Sequence, residues 1–220
     1  MTRLNSNIPA RPLKNSRRAL TGRLNLANGG MAGFESSLER DWLRVLDFNP
    51  LVQAIREQPF TIYYDSQDGR RRYTPDVLVE LREEKRVRTC VYEIKPLEQL
   101  RAEWQELRPR FKAAVAHCKR QGWQFKIVTE THIRTPTLAN INFLRRYRSM
   151  EPLLVRQAQL KYTASVLGPT TPQALLAAAY WSAEEQAMAI PALWQLIERG
   201  ELIADLNKPL TMSTPIRLGA

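Results

Sequence analysis

The sequence has few of the residues that build zinc sites, disulfide scaffolds or histidine-bound metal centres. Its 220 residues include only two cysteines, Cys90 and Cys118, and two histidines, His117 and His132. The cysteines lack the close paired spacing of zinc ligands, and two are too few for a disulfide framework. We therefore interpret both histidines as helix or loop residues and expect any metal to be held by oxygen ligands.

Long apolar runs are also missing. The longest stretch without a charged residue, Tyr162 to Ala183, is interrupted by Gly168, Pro169 and Pro172, so it is not a membrane span. No apolar run follows the arginines near the first residue, and we expect no signal peptide. We expect a soluble protein of a reducing compartment with no membrane partner.

Acidic residues are absent from the beginning of the chain. Residues 1–34 hold six Arg and Lys and no acid, within a formal net charge of +11 and a pI near 10.0. Residues 151–220 hold five basic and six acidic residues. A polyanion is the expected partner, nucleic acid first and an anionic membrane second, and the DNA-handling surface should lie in the first 150 residues.

The composition and apolar pattern of the chain predict three regions. Residues 1–33 are basic and show no sustained apolar period, so they form either a disordered tail or an arm that orders on phosphates or on a partner. Residues 34–150 predict one α/β domain with the order α-β-β-β-α-β-α. Residues 151–220 predict a small C-terminal domain.

The α/β domain is bounded by clear signals. An apolar stripe from Phe34 ends near Asn49-Pro50, which predicts the first helix. The helix that follows "YEIKP" should end at Gly122, and Pro109 should kink it or split it into two abutting helices.

In the C-terminal domain, "TPQALLAAAYW" and "SAEEQAMAIPALWQLIERGE" predict two short helices, and two short extended segments follow. This order is typical of a winged helix-turn-helix, although a helical appendage that completes the core would also explain it. Because the region is nearly neutral, we favour docking to a protein over binding to DNA as its role.

Two predicted strands carry an unusual set of charges. Asp76 lies in "RYTPDVLVE", and Glu93 and Lys95 lie in "YEIKP". Strand alternation puts Glu93 and Lys95 on the same face. If the hairpin turn is centred between residues 84 and 85, Leu78 faces Val91 and Asp76 faces Glu93, with Cβ atoms about 4.5–5.5 Å apart.

Two opposed carboxylates repel each other unless a cation lies between them. Mg²⁺, with Mn²⁺ as a substitute, takes oxygen ligands and keeps several waters, so Asp76, Glu93 and the backbone carbonyl of Ile94 suffice to hold it. Lys95 would position the attacking water or help to deprotonate it. The residues alone leave a salt-bridged hairpin open, because an E-x-K sequence also occurs in the predicted turn at residues 83–85.

Three segments, "FESSLERDWLRVLDFNPLVQAIREQP", "RYTPDVLVE" and "YEIKP", resemble TnsA, the endonuclease subunit of heteromeric cut-and-paste transposases, within the PD-(D/E)xK nuclease superfamily. The resemblance extends from about Phe34 to Arg148. It implies a restriction-endonuclease-like mixed sheet flanked by helices, and an Mg²⁺-dependent enzyme that cleaves DNA near the 5′ ends of a transposon.

The resemblance also implies site residues and partners. It assigns the catalytic and metal-binding positions to Asp76, Glu93, Lys95 and a helix acid, Glu39, although Glu35 one turn earlier is an alternative. It implies a TnsB-like DDE transposase that acts at the 3′ ends, a TnsC-like AAA+ regulator that docks on the C-terminal domain, and the bacterial cytoplasm as the location.

Further residues are interpreted as support. Gln58 either points at the site or makes a hydrogen bond at a strand edge. The basic residues expected to contact phosphates are Arg17, Arg18, Arg70, Arg71, Arg72, Arg145 and Arg146, although charged runs are usually only solvated faces. Two alternatives stay open: a stand-alone restriction or repair nuclease, and a non-catalytic DNA-bridging protein with a nuclease-like fold.

Overall fold

The computed structural model describes residues 9–10, 20–66, 69–84 and 86–219. The chain divides into two compact units, Met1–Arg134 and Thr135–Ala220. The sequence placed this boundary later, after residue 150. It falls earlier because the helix that begins at Pro136 packs on the long helix that begins at Ala183, inside the second unit.

The first unit is a mixed α/β structure. Its strands are β1 (Gly22–Asn25), β2 (Met31–Phe34), β3 (Val52–Glu57), β4 (Ile62–Ser66), β5 (Gly69–Tyr73), β6 (Val77–Arg82), β7 (Val87–Ile94) and β8 (Gln124–Val128). Its helices are α1 (Ser37–Phe48), α2 (Leu97–Ala102), α3 (Trp104–Gln121) and α4 (Glu130–Ile133).

The central sheet has the strand order β3-β6-β7-β8. Strand β6 is antiparallel to both β3 and β7, and β8 is parallel to β7. Leu78 and Val91 pack against Cys118 of α3 on one face. On the other face, Trp42 of α1 contacts the ring of Tyr92 edge-on at 5.2 Å. The predicted mixed sheet flanked by helices is therefore confirmed.

Strands β4 and β5 form a separate two-stranded antiparallel ribbon. The predicted order had three strands between the first two helices, and this was wrong, because the structure has five there, β3 to β7. The ribbon packs on α3, because Ile62 and Tyr73 are buried against Leu107, Phe111 and Ala114.

Two boundaries also differ from the sequence prediction. Phe34 ends β2, which pairs with β1, so part of the predicted arm is a hairpin. Helix α1 begins later, where the hydroxyl of Ser36 accepts a hydrogen bond from the backbone N–H of Glu39. The helix predicted after "YEIKP" is split into two, but at Glu103 rather than at Pro109, which lies inside α3.

The second unit contains α5 (Pro136–Arg148), α6 (Leu154–Leu167), α7 (Pro172–Ala179), α8 (Ala183–Glu198), β9 (Leu202–Ala204) and β10 (Ile216–Leu218). Strands β9 and β10 form an antiparallel hairpin. The two predicted helices are present as α7 and α8, whereas α6 was missed. Winged-helix identity stays a prediction.

Within the second unit, the buried side chain of Gln195 joins several segments. Its amide nitrogen donates to the backbone oxygens of Met150 and Glu151, and its amide oxygen accepts from Gln157 at 2.6 Å. These hydrogen bonds tie the connection between α5 and α6 to α8. No helix in the described part of the chain combines the length and the apolar character that crossing a membrane requires.

Candidate active site

An open cavity of about 360 Å³ in the first unit is lined by all four residues predicted to be catalytic. Its lining consists of Glu35, Glu39, Arg72, Tyr73, Thr74, Asp76, Glu93, Lys95 and Arg110. Acidic and basic side chains therefore share one polar, solvent-accessible space where β6 begins and β7 ends.

The β6–β7 ladder has the predicted register. Leu78 pairs with Val91, and Val77 pairs with Tyr92. Asp76 directly precedes β6, and its Oδ2 atom accepts a hydrogen bond from the backbone N–H of Ile94 at 2.7 Å. This bond fixes the Asp76 carboxylate beside the last residues of β7.

Glu93 is buried, with only 2% of its surface exposed, and three polar groups surround its carboxylate. The hydroxyl of Tyr73 donates to Oε2 at 2.6 Å. Oε1 lies 3.5 Å from Nζ of Lys95 and 3.7 Å from Nη2 of Arg110. A buried carboxylate needs such partners because desolvation of an unpaired charge is very costly.

Tyr73 and Arg110 were missed at the sequence level. Strand alternation placed Tyr73 on the face opposite Asp76, but β5 ends at Tyr73 and residues 74–76 are not strand, so the alternation does not continue. The guanidinium of Arg110 lies 5.6 Å from the ring centroid of Tyr73. Its approach depends on how α3 packs, and no local sequence signal reveals it.

The acids of the cavity influence one another. Burial raises the pKa of Asp76 well above its ordinary value, and the negative charges of Glu93 and Glu39 raise it further, against the opposing effect of Lys95. Burial also raises the pKa of Glu39. Burial and the charge of Glu93 raise the pKa of Tyr73 well above 10.0. Tyr73 therefore keeps the proton that it donates to Glu93.

Glu39 also has a local structural role. Its carboxylate accepts hydrogen bonds from the backbone N–H of Glu35 at 2.7 Å and from the hydroxyl of Ser36 at 3.0 Å. The Ser-x-x-Glu spacing is the signature of a capping box. Glu35 lines the same cavity, so both candidate helix acids stand at the site.

Gln58 connects the end of β3 to the site. Its amide nitrogen donates to Oε1 of Glu35 at 3.2 Å, and its backbone N–H donates to the backbone oxygen of Asp76 at 2.7 Å. Its φ of 42° lies in the left-handed region, which costs a non-glycine residue about 1–2 kcal/mol. Such strain concentrates at functional sites.

The basic residues predicted to contact DNA lie in different places. Arg72 lines the cavity, and Arg70 and Arg71 precede it on β5. Arg145 and Arg146 lie in the last turn of α5, in the second unit. Arg17 and Arg18 fall outside the described residues.

The donor set of the cavity limits the kind of metal site that it can form. Within the described ranges, no group of three or more His, Cys, Asp or Glu side chains is arranged to hold a metal ion. Asp76 and Glu93 instead provide two carboxylates beside the peptide group of Ile94. Such a set suits Mg²⁺, which is commonly bound through one or two carboxylates and keeps several waters.

A mixed sheet flanked by helices, with paired acids and a lysine at the ends of neighbouring strands, is consistent with a restriction-endonuclease-like fold. In agreement, residues 49–130 match the family model described as TnsA-like endonuclease N terminal. This part of the chain is therefore similar to the N-terminal domain of TnsA-like endonucleases, a family that implies DNA as the substrate. A comparison with curated proteins finds no significant match.

The matched region includes three of the four predicted catalytic residues. Asp76, Glu93 and Lys95 lie inside residues 49–130, whereas Glu35 and Glu39 precede them. The choice between the two helix acids therefore rests on experiment.

Proposed function

We propose that this protein is the metal-dependent DNA endonuclease subunit of a transposase complex. In this proposal it cleaves phosphodiesters at the 5′ ends of a transposon, while a partner transposase handles the 3′ ends. The observation that carries the proposal is the cavity in which Asp76, Glu93 and Lys95 meet inside a TnsA-like endonuclease domain.

The metal in this proposal is Mg²⁺, with Mn²⁺ as a substitute. Asp76, Glu93 and the backbone carbonyl of Ile94 would hold it, and Glu39, which lines the same cavity, is proposed as a further ligand that would have to move toward the ion. When bound, the ion supplies a water of lowered pKa and stabilises negative charge on the phosphate.

The chain's own groups arrange the reaction. Lys95 contributes a positive charge beside Glu93, which stabilises the charge that develops on the scissile phosphate and helps to orient the attacking water. Tyr73 and Arg110 hold the Glu93 carboxylate through both of its oxygens. Asp76 is held through the N–H of Ile94.

The proposed partners are transposon-end duplex DNA, a TnsB-like DDE transposase and a TnsC-like AAA+ regulator. The second unit is proposed as the docking site of the regulator. Its large exposed apolar side chains support a protein contact: Val155 and Tyr162 on α6 are 85% and 67% exposed, and Trp181 is fully exposed. Arg17, Arg18, Arg145 and Arg146 are proposed phosphate contacts, and the bacterial cytoplasm is the proposed location.

The test uses a donor plasmid that carries transposon ends, incubated in Mg²⁺ with a TnsB-like transposase and either this protein or its Asp76→Ala variant. The proposal predicts cuts at both ends of each strand with the normal protein. With the variant, the 5′-end cuts disappear and the 3′-end cuts persist.

Two results would support the alternatives instead. Full site-specific cleavage without the transposase would indicate a stand-alone nuclease. If the normal protein and the variant both bind DNA and neither makes metal-dependent cuts, the protein is a bridging protein.

A further inference from the structure

The β4–β5 ribbon sorts its basic residues onto two faces. In its register, Ile62 pairs with Tyr73 and Tyr64 pairs with Arg71, whereas Tyr63 pairs with Arg72 and Asp65 pairs with Arg70. Directly paired residues share a face of an antiparallel ribbon, and successive pairs alternate. Arg70 and Arg72 therefore lie on one face, and Arg71 lies on the other.

One of these faces packs against the core of the first unit. Ile62 and Tyr73 are buried against α3, and Tyr64 packs beside them. By register Arg71 belongs to this inner face, although its own side chain is exposed. The opposite face points outward, since Tyr63 at its centre is 62% exposed. We call this outer face, formed by Tyr63, Asp65, Arg70 and Arg72, the ribbon face.

The ribbon face is continuous with the cavity. Arg72 lines the cavity together with Asp76, Glu93 and Lys95. Tyr73, the next residue, donates its hydroxyl proton to Glu93. If one phosphate of a polyanion occupies the cavity, the phosphates that follow along the ribbon would therefore lie nearest to Arg72.

Arg70 extends the same track. Residues on one face of a strand repeat every second position at about 3.4 Å per residue, so Arg70 lies about 7 Å beyond Arg72. One strand of B-DNA carries a charge every 3.4 Å or so along the helix axis, which makes this step about two nucleotides. The guanidinium of Arg70 lies over the ring of Tyr63, 5.1 Å from its centroid, and this stacking limits its freedom.

From this arrangement we propose that the ribbon face binds the backbone of the duplex next to the scissile phosphate, with Arg72 nearest the cut. The inference rests on the proposed nuclease function, because it takes the cavity as the place of the scissile phosphate. Arg72 contributes more than Arg70, since Asp65 pairs with Arg70 and lowers the positive potential around it. Arg71, on the inner face, makes no backbone contact.

The test measures binding of the full-length protein to a short duplex in EDTA, so that no metal-dependent cutting occurs. Arg70→Ala, Arg71→Ala and Arg72→Ala remove the same charge from three consecutive positions. Counterion release predicts that each lost phosphate contact lowers the affinity roughly fivefold to tenfold at 0.1 M salt and reduces the salt slope by about 1. We expect this for Arg72→Ala, a smaller loss for Arg70→Ala and no change in slope for Arg71→Ala.

A change of opposite sign sharpens the test. Asp65→Asn removes the acid of the ribbon face and should tighten binding. Thermal unfolding of each variant checks that the ribbon remains folded. Equal losses for the three arginine variants, or weaker binding by Asp65→Asn, would overturn the assignment of the ribbon face.

The two proposals can fail separately. If the normal protein cuts transposon ends in Mg²⁺ together with the TnsB-like transposase, while Arg72→Ala binds the duplex as tightly as the normal protein does, the ribbon proposal fails and the nuclease proposal stands. If the normal protein, saturated with DNA and supplied with the transposase, makes no 5′-end cuts in Mg²⁺, the nuclease proposal fails, whatever the ribbon variants do.

Discussion

Replacing Asp76 by Asn should stabilise the metal-free protein. Burial raises the pKa of the Asp76 carboxylate well above its ordinary value, and the negative charges of Glu93 and Glu39 raise it further. Asn has nearly the same shape, and its side-chain oxygen still accepts the hydrogen bond from the N–H of Ile94. The variant therefore removes a charge that the folded protein disfavours and keeps the contact that positions residue 76.

The effect has a defined pH dependence. In the unfolded chain Asp76 loses its proton near the ordinary value of 3.8, whereas in the folded protein it loses it at higher pH. Between these two pKa values the folded state binds more protons, so the free energy of unfolding of the normal protein falls as pH rises. Asn does not titrate. The advantage of the variant is therefore absent below about pH 3.8, increases as pH rises, and levels off above the folded pKa.

The magnitude follows from opposing contributions in the structure. Each unit of pKa shift corresponds to about 1.4 kcal/mol, and the raised pKa of Asp76 is the net result of burial and the neighbouring acids acting against Lys95 and the N–H of Ile94. We expect a gain of about 1 kcal/mol near neutral pH, within the usual range for a single stabilising replacement. For a chain of this length, that gain raises the melting temperature by about 2–4 °C.

The assay is thermal unfolding in EDTA, followed at several pH values from acid to neutral. Asp65→Asn is the matched control, because Asp65 is exposed on the ribbon and its replacement should change stability by no more than about 0.5 kcal/mol. Adding Mg²⁺ should stabilise the normal protein and leave Asp76→Asn unchanged. A lower melting temperature for Asp76→Asn at every pH would refute the argument that the folded protein disfavours the charged form of Asp76.

Three further predictions concern the neighbours of the site. Tyr73→Phe removes the hydroxyl that holds Glu93 and should slow cleavage about 10–100-fold without changing DNA affinity; an unchanged rate would refute this. Glu39→Gln should abolish cleavage without loss of stability, because burial raises the pKa of the Glu39 carboxyl and the amide oxygen of Gln can still accept the hydrogen bond from the N–H of Glu35, whereas Glu35→Gln should retain cleavage; the reverse result would make Glu35 the helix acid. Gln58→Gly should be about 1 kcal/mol more stable than Gln58→Ala, because only glycine tolerates a positive φ without cost, and equal stabilities would contradict the assigned strain.

The β6–β7 hairpin was predictable because its determinants are local. A turn and strict alternation on both sides fix the register, so the pairing of Leu78 with Val91 followed from sequence. Asp76 and Glu93 were brought together by the same argument. The end of α3 at Gly122 was predictable for a similar reason, since its φ of 72° favours glycine.

Other features depend on contacts between distant segments. The ribbon leaves the main sheet because it packs on α3, which periodicity within one strand does not reveal. The approach of Arg110 to Glu93 depends on the same packing. Helix α6 was missed because Val155, Tyr162 and Val166 are exposed, so its apolar residues do not mark a single buried face.

The central claim is that Asp76 and Glu93 act together as one catalytic site. The most direct measurement compares single-turnover 5′-end cleavage in Mg²⁺, in the presence of the TnsB-like transposase, by the normal protein, Asp76→Asn, Glu93→Gln and the double variant, with Glu80→Gln on β6 as the control. Glu80 pairs with Arg56 at 2.9 Å, away from the cavity lining. The account predicts that either single replacement removes cleavage, that the double variant is no worse, because residues acting as a unit are non-additive, and that Glu80→Gln cuts normally. Cleavage by Asp76→Asn at the normal rate would contradict it.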